Sequence, residues 1–186
     1  LAKLLDQVLV IDVESTCWNR PPPPNQISEI IEIGLCTVDM ATLRRREKRC
    51  ILVSPARSHV SQFCTSLTGI TPDLVEHADD LATAVDLLMN KYKSRERLFA
   101  SWGDYDRGQF ERNCRDYMLP YPFGPTHLNV KTLFSLALGL PEELEIDAAC
   151  DRVGLPMEGD HHRGVDDAWN IANLFLLLLK RMRRIV

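Results

Sequence analysis

Apolar positions along the chain follow two periods in turn. QVLVIDVEST at 7–16 is a β-branched apolar run that reads as a buried strand ending in two carboxylates, Asp12 and Glu14. ISEIIEIGLCTVD at 27–39 reads as a second, long strand. RRREKRCILVS at 44–54 reads as its antiparallel neighbour, with the charges on the solvated face of an outer strand. The pattern then turns helical. Thr71 is placed as an N-cap with Pro72 at the first helical position, and DDLATAVDLLMNKYK at 79–93 sets Leu81, Val85, Leu88, Met89 and Tyr92 at helical spacing. RLFASW at 97–102 is a strand, followed by a helix through Tyr117; THLNV at 126–130 is another short strand. Helices are expected over about 131–139 and 142–153, and a last long one from about Gly164 to Arg184. Three strands followed by alternating helices and strands predict an α/β fold, one mixed central β-sheet flanked by α-helices.

No repeat or linker divides the 186 residues, and a hydrophobic fraction of 45% is enough for a single domain over 1–186 with a sizeable core. RPPPPNQ at 20–26 reads as a stiff polyproline-type loop beside the site. A net charge of −4 gives no global positive field toward nucleic acid, so a phosphate-bearing partner would need local neutralisation by bound cations. The cysteines at 17, 36, 50, 64, 114 and 150 show no short ligand spacing and read as reduced thiols of an intracellular, cytoplasmic protein. No signal peptide is expected, the N-terminus reads as trimmed, and LFLLLL at 174–179 is too short to span a bilayer, so no membrane partner is expected.

The acids carry the candidate chemistry. Side chains alternate along a strand, so Asp12 and Glu14 share a face. They are either separately paired at a strand end reaching solvent or half of a cation site. Asp106 shares a helical stripe with Phe110, Cys114 and Tyr117, whereas Asp104 falls toward the polar side. In the last helix, Asp167 borders the stripe of Ala168, Ile171, Ala172, Phe175, Leu178, Leu179 and Met182, while Asp166 points away. GDHHRG at 159–164 offers His161 and His162 in a glycine-bounded loop, without a third soft ligand at a zinc spacing.

DVEST, SWGDYDRGQF and HHRGVDDAWNIA, in that order, resemble the three motifs of the DEDD 3′→5′ exonucleases in their DEDDh branch. The intervening ESTCW, EIIEIG, LTGIT and NVKTLF are most similar to the histone-mRNA and small-RNA 3′ exonuclease group. The resemblance implies a ribonuclease H-like fold. It also implies two divalent cations, Mg²⁺ or Mn²⁺, held by Asp12, Glu14, Asp106 and Asp167, with His162, five residues before Asp167, as general base. It implies nucleic-acid 3′ ends as partners, RNA favoured over DNA. Trp102 would stack a base, or else simply close the end of its strand, and the backbone and hydroxyls of ESTCW, Thr16 among them, would reach the 2′-OH. Two further readings stay open: a single-stranded DNA exonuclease of proofreading or repair type, and a non-catalytic RNA-binding adaptor with an exonuclease fold. The leucine-rich last helix fits either a core or a dimer seam and leaves the oligomeric state open.

Overall fold

The computed structural model describes residues 3–183. It opens with three antiparallel strands, β1 (Leu4–Ser15), β2 (Ile30–Asp39) and β3 (Arg44–Leu52). Helices α1 (Gln62–Thr68), α2 (Pro72–Glu76) and α3 (Leu81–Asn90) follow. Then come β4 (Arg97–Ser101), α4 (Tyr105–Asp116), β5 (His127–Asn129), α5 (Val130–Leu138), α6 (Ile146–Val153) and α7 (Gly164–Arg183). The expected end of the last helix at Arg184 lies outside the described residues. One five-stranded sheet has the order β3-β2-β1-β4-β5, with β1 parallel to β4 and β4 to β5, as a mixed sheet flanked by helices.

The period of two along β1 sorts the core. Val8 and Val10 face α5, α6 and α7, whereas Leu9, Ile11 and Val13 face α3 and α4. Asp12 and Glu14 continue the first of these faces, so the alternation that buries the strand also aims both acids toward α7. Outer strand β3 alternates exposed and half-buried charges up to Lys48, as its sequence predicts for a sheet edge.

Two expectations need correction, and one element was missed. Helix α6 begins at Ile146 rather than 142, because Glu143 and Glu145 are drawn onto α5 by Thr132 and Lys131, at 2.5 and 2.7 Å. The proline run is not a straight polyproline rod: Gln26 N–H donates to Pro23 O at 3.1 Å and Asn25 takes a left-handed φ of 64°, closing a tight turn. Helix α1 shows little apolar periodicity, since its buried positions are Cys64 and Thr68 while Phe63 and Leu67 are exposed. Its signal lies in the caps: Ser61 Oγ accepts from Cys64 N–H at 3.0 Å, and Gly69, at φ 71°, ends it.

Candidate active site

Three elements meet at the carboxyl end of β1. The cleft is lined by Asp12, Glu14, Asp106, Asp167, His161 and His162, with Trp102, Tyr105, Glu145 and Asp147 among its walls. Asp106 enters from the first turn of α4, where its carboxylate accepts the Val13 N–H at 2.9 Å. Asp167 enters from the first turn of α7, and with Asp12 and Glu14 it brings carboxylate oxygens within 4.8 Å of one another.

The approach of α7 to the strands depends on two glycines. A Cβ on Gly34 would lie 1.9 Å from the Gly164 backbone, and one on Gly164 would lie 2.9 Å from Asp12 O. Gly34 is the register partner of Asp12 across β1 and β2, so the missing side chains admit the start of α7 directly against the acid-bearing strand. Both acids of the first motif then face Asp167.

Like charges and low solvent access raise the proton affinity of the whole set. Burial, followed by the charges of Asp106, Asp167, Glu14 and Glu32, holds the Asp12 carboxyl well above the usual carboxylate range. Burial, with Asp167, Glu32 and Asp106, pushes Glu14 to about 8. Burial brings Asp106 to about 7 despite the Val13 N–H. Asp167 is also raised by burial, against the opposing effect of His161. Carboxyl groups that resist ionisation this strongly call for a countercharge at the same place. The donors are carboxylate oxygens with imidazole nitrogens beside them, a set that suits a hard divalent cation.

The neighbouring acids are tied elsewhere. Asp104 is exposed and reaches Asn129 Nδ2 at 3.1 Å and His127 Nδ1 at 3.4 Å. Asp166 is bound by Lys48 Nζ at 2.5 Å and by the Asp160 N–H at 3.0 Å. Of the histidines, His161 places Nδ1 3.1 Å from Asp167 Oδ1, and His162 donates its backbone N–H to Oδ2 at 2.9 Å. The two rings stack at 4.0 Å, and His162 takes a left-handed φ of 62°.

Two of the expected substrate contacts are held by the protein itself, and the proline turn lies away from the cleft lining. Thr16 is fully buried; its Oγ1 accepts from Glu29 N–H at 2.9 Å and donates to Ile27 O at 3.1 Å, so the hydroxyl fastens the strand end and is closed off from a 2′-OH by burial. Trp102 is only 7% exposed; it packs against Phe134 with centroids 5.8 Å apart, and its Nε1 donates to Leu144 O at 3.0 Å. It thus closes the end of β4 and shows the cleft little surface. The proline turn contributes no residue to the cleft lining.

Sequence reasoning missed Tyr105, which is 55% exposed at the cleft wall beside Asp106. Its signal was available, as an aromatic at the first helical position immediately before a site acid. Glu32 was missed too, although an acid on the inward phase of an apolar strand is itself a sequence signal.

Comparison with known proteins matches residues 9–175 to the RNase T family of exonucleases. The human 3′-5′ exoribonuclease 1 (Homo sapiens) is 28% identical over 94% of this chain and 53% of its own length. The 3′-5′ exonuclease Snipper of Drosophila melanogaster is 26% identical over 93% of this chain and 69% of its own. The chain thus spans about half the length of the human and rodent relatives. Among solved structures, the nuclease domain of 3′hExo, a DEDDh family member bound to rAMP, superposes with a TM-score of 0.87 at 26% identity, covering 97% of this chain and 95% of that one.

Proposed function

Because the chain belongs to the RNase T exonuclease family, we propose that it is a metal-dependent 3′→5′ exonuclease that releases nucleoside 5′-monophosphates, with single-stranded RNA 3′ ends as its preferred substrate. The observation that carries this reading is the convergence of Asp12, Glu14, Asp106 and Asp167 from three separate elements on one cleft. A non-catalytic adaptor has no use for four clustered carboxylates whose burial, with the charges of their neighbours, raises their proton affinity.

Two divalent cations, Mg²⁺ or Mn²⁺, would be held by these four carboxylates and would neutralise charge on the scissile phosphate and leaving oxygen while acidifying the attacking water. The protein's own part is position and proton transfer. The Val13 N–H fixes Asp106, and the close contact of Gly34 with Gly164 sets Asp167 against Asp12. His162, on a glycine-bounded loop at the rim, accepts the water's proton at a ring nitrogen. Tyr105 offers the exposed aromatic face on which a terminal base can stack. This role passes to it from Trp102, whose ring is packed inside.

The RNA preference draws support from the names of the relatives, the human exoribonuclease among them, and from the rAMP held by the 3′hExo nuclease domain. A DNA exonuclease is the second reading, since Snipper is named only as an exonuclease. Matched RNA and DNA oligonucleotides with Mg²⁺ or Mn²⁺ separate the two. Faster shortening of DNA would move the assignment to the second reading.

Among the described residues no helix is long and apolar enough to cross a membrane. The leucines of α7 pack into the sheet's core, with Leu174, Leu176 and Leu178 all buried. We assign this helix to the core and not to a dimer seam.

A further inference from the structure

Glu32 lies on β2 directly across from Glu14, and it is fully buried. A buried carboxylate beside four others would be strongly disfavoured without compensation. Its compensation comes from the loop that carries the histidines. Arg163 Nε donates to Glu32 Oε2 at 3.0 Å, and the Val165 N–H donates to Oε1 at 3.0 Å. These donors flank Gly164, the residue that presses on Asp12 and Gly34. One strand carboxylate therefore grips the chain on both sides of the contact that places α7. His162 precedes the first gripped residue and Asp167 follows the second by two.

We propose that Glu32 and Arg163 form a clamp that positions the histidine loop over the carboxylate cleft, making them positioning residues for the hydrolysis inferred above, on which this inference rests. Neither lines the cleft. Both act through what they hold. The argument rests on geometry. His162 sits in a left-handed conformation uncommon for a non-glycine residue, and the residue immediately after it is the one Glu32 fastens. Arg163 also returns a positive charge to the neighbourhood of Glu14, which keeps the buried Glu32 from adding unopposed to the repulsion there. Glutamine at either clamp position leaves residue 32 an oxygen to accept the Val165 N–H, and the Val13 N–H still holds Asp106, so the histidine loop is loosened at Arg163 while the start of α7 keeps its anchor.

The test compares wild type with Glu32→Gln, Arg163→Gln, Arg163→Lys and the Glu32→Gln/Arg163→Gln double variant. Each is assayed on a 5′-labelled single-stranded RNA for kcat and KM, and for Mg²⁺ affinity by calorimetry with Ca²⁺-free protein. Partners that orient site groups typically cost about 10–100-fold when removed. Each glutamine variant is therefore expected to lose kcat in that range, with KM and Mg²⁺ affinity within about twofold of wild type. Because the two residues act as one unit, the double variant is expected to be no worse than the weaker single. Arg163→Lys is expected to recover part of the loss. Arg163 is partly exposed, so its variants keep the test open should Glu32→Gln fail to fold. Unchanged kcat in Arg163→Gln, a loss confined to KM or Mg²⁺ affinity, or losses that multiply in the double variant would overturn the clamp. A wild-type protein that leaves RNA and DNA intact would instead overturn the exonuclease reading itself.

Discussion

His161 and His162 divide the carboxylate of Asp167 between them, one placing its ring nitrogen 3.1 Å from Oδ1 and the other giving its backbone N–H to Oδ2 at 2.9 Å. Two adjacent residues of the same type thus have different parts. The ring of His161 is engaged with the acid, whereas His162 is anchored by its main chain and keeps its ring available.

That division predicts unequal losses on substitution. His162→Ala removes the proposed base but keeps the backbone contact, so kcat should fall by roughly 10²–10⁴-fold. His161→Ala removes one partner of Asp167 and should be the milder variant. Pre-steady-state rates of both on one RNA would rank them, and the reverse order would give the base role to His161.

The carboxylate cluster predicts how stability depends on pH. Glu14 titrates near 8 in the folded chain against an ordinary value of 4.5, and Asp106 near 7 against 3.8. Between those limits the folded state retains protons that the unfolded chain has released. Stability of the cation-free protein should therefore fall as the pH rises from about 4 through 8. Mg²⁺ should raise the Tm more at pH 8 than at pH 5. Thermal melts with EDTA and with Mg²⁺ across this range would check it, and an equal Mg²⁺ effect at both pH values would contradict the cluster as the binding site.

Asp12→Asn should separate function from folding. Removing one of several crowded, half-buried carboxyls should leave the cation-free Tm unchanged or higher. Turnover should fall by at least about 10²–10³-fold, the scale seen when an electrostatic stabiliser is lost. Asp104→Asn and Asp166→Asn, whose parent acids are engaged outside the cleft, should lose much less. Paired activity and melting measurements would decide.

The aromatic pair predicts opposite phenotypes. Tyr105→Ala removes an exposed stacking face and should weaken single-stranded RNA binding by roughly 1–3 kcal/mol with little effect on Tm. Trp102→Ala empties a packed position and should cost roughly 3–5 kcal/mol of stability. Fluorescence anisotropy and chemical denaturation of both variants would show whether stacking and packing divide in this way.

Much of the cleft was legible from periodicity. Alternation along β1 put Asp12 and Glu14 on one face, and helical phase separated Asp106 from Asp104 and Asp167 from Asp166; in each helical pair the inward acid is the one the structure buries. What periodicity could not give was burial at an element's end. Trp102 and Thr16 sit at strand ends, where the pattern stops, and their surroundings come from α5, the chain just before α6 and the chain near Glu29. The same limit hid Glu32. Its phase marked it as inward, but its partners at Arg163 and Val165 lie more than a hundred residues away, and only the sheet and α7 bring them together.

The most direct test of the account is a time course on a 5′-labelled single-stranded RNA with Mg²⁺, with the released products identified by chromatography. The account predicts a ladder shortening stepwise from the 3′ end, nucleoside 5′-monophosphates as the only small products, and no reaction in EDTA. Internal cuts, nucleoside 3′-monophosphates, or turnover that persists in EDTA would contradict it.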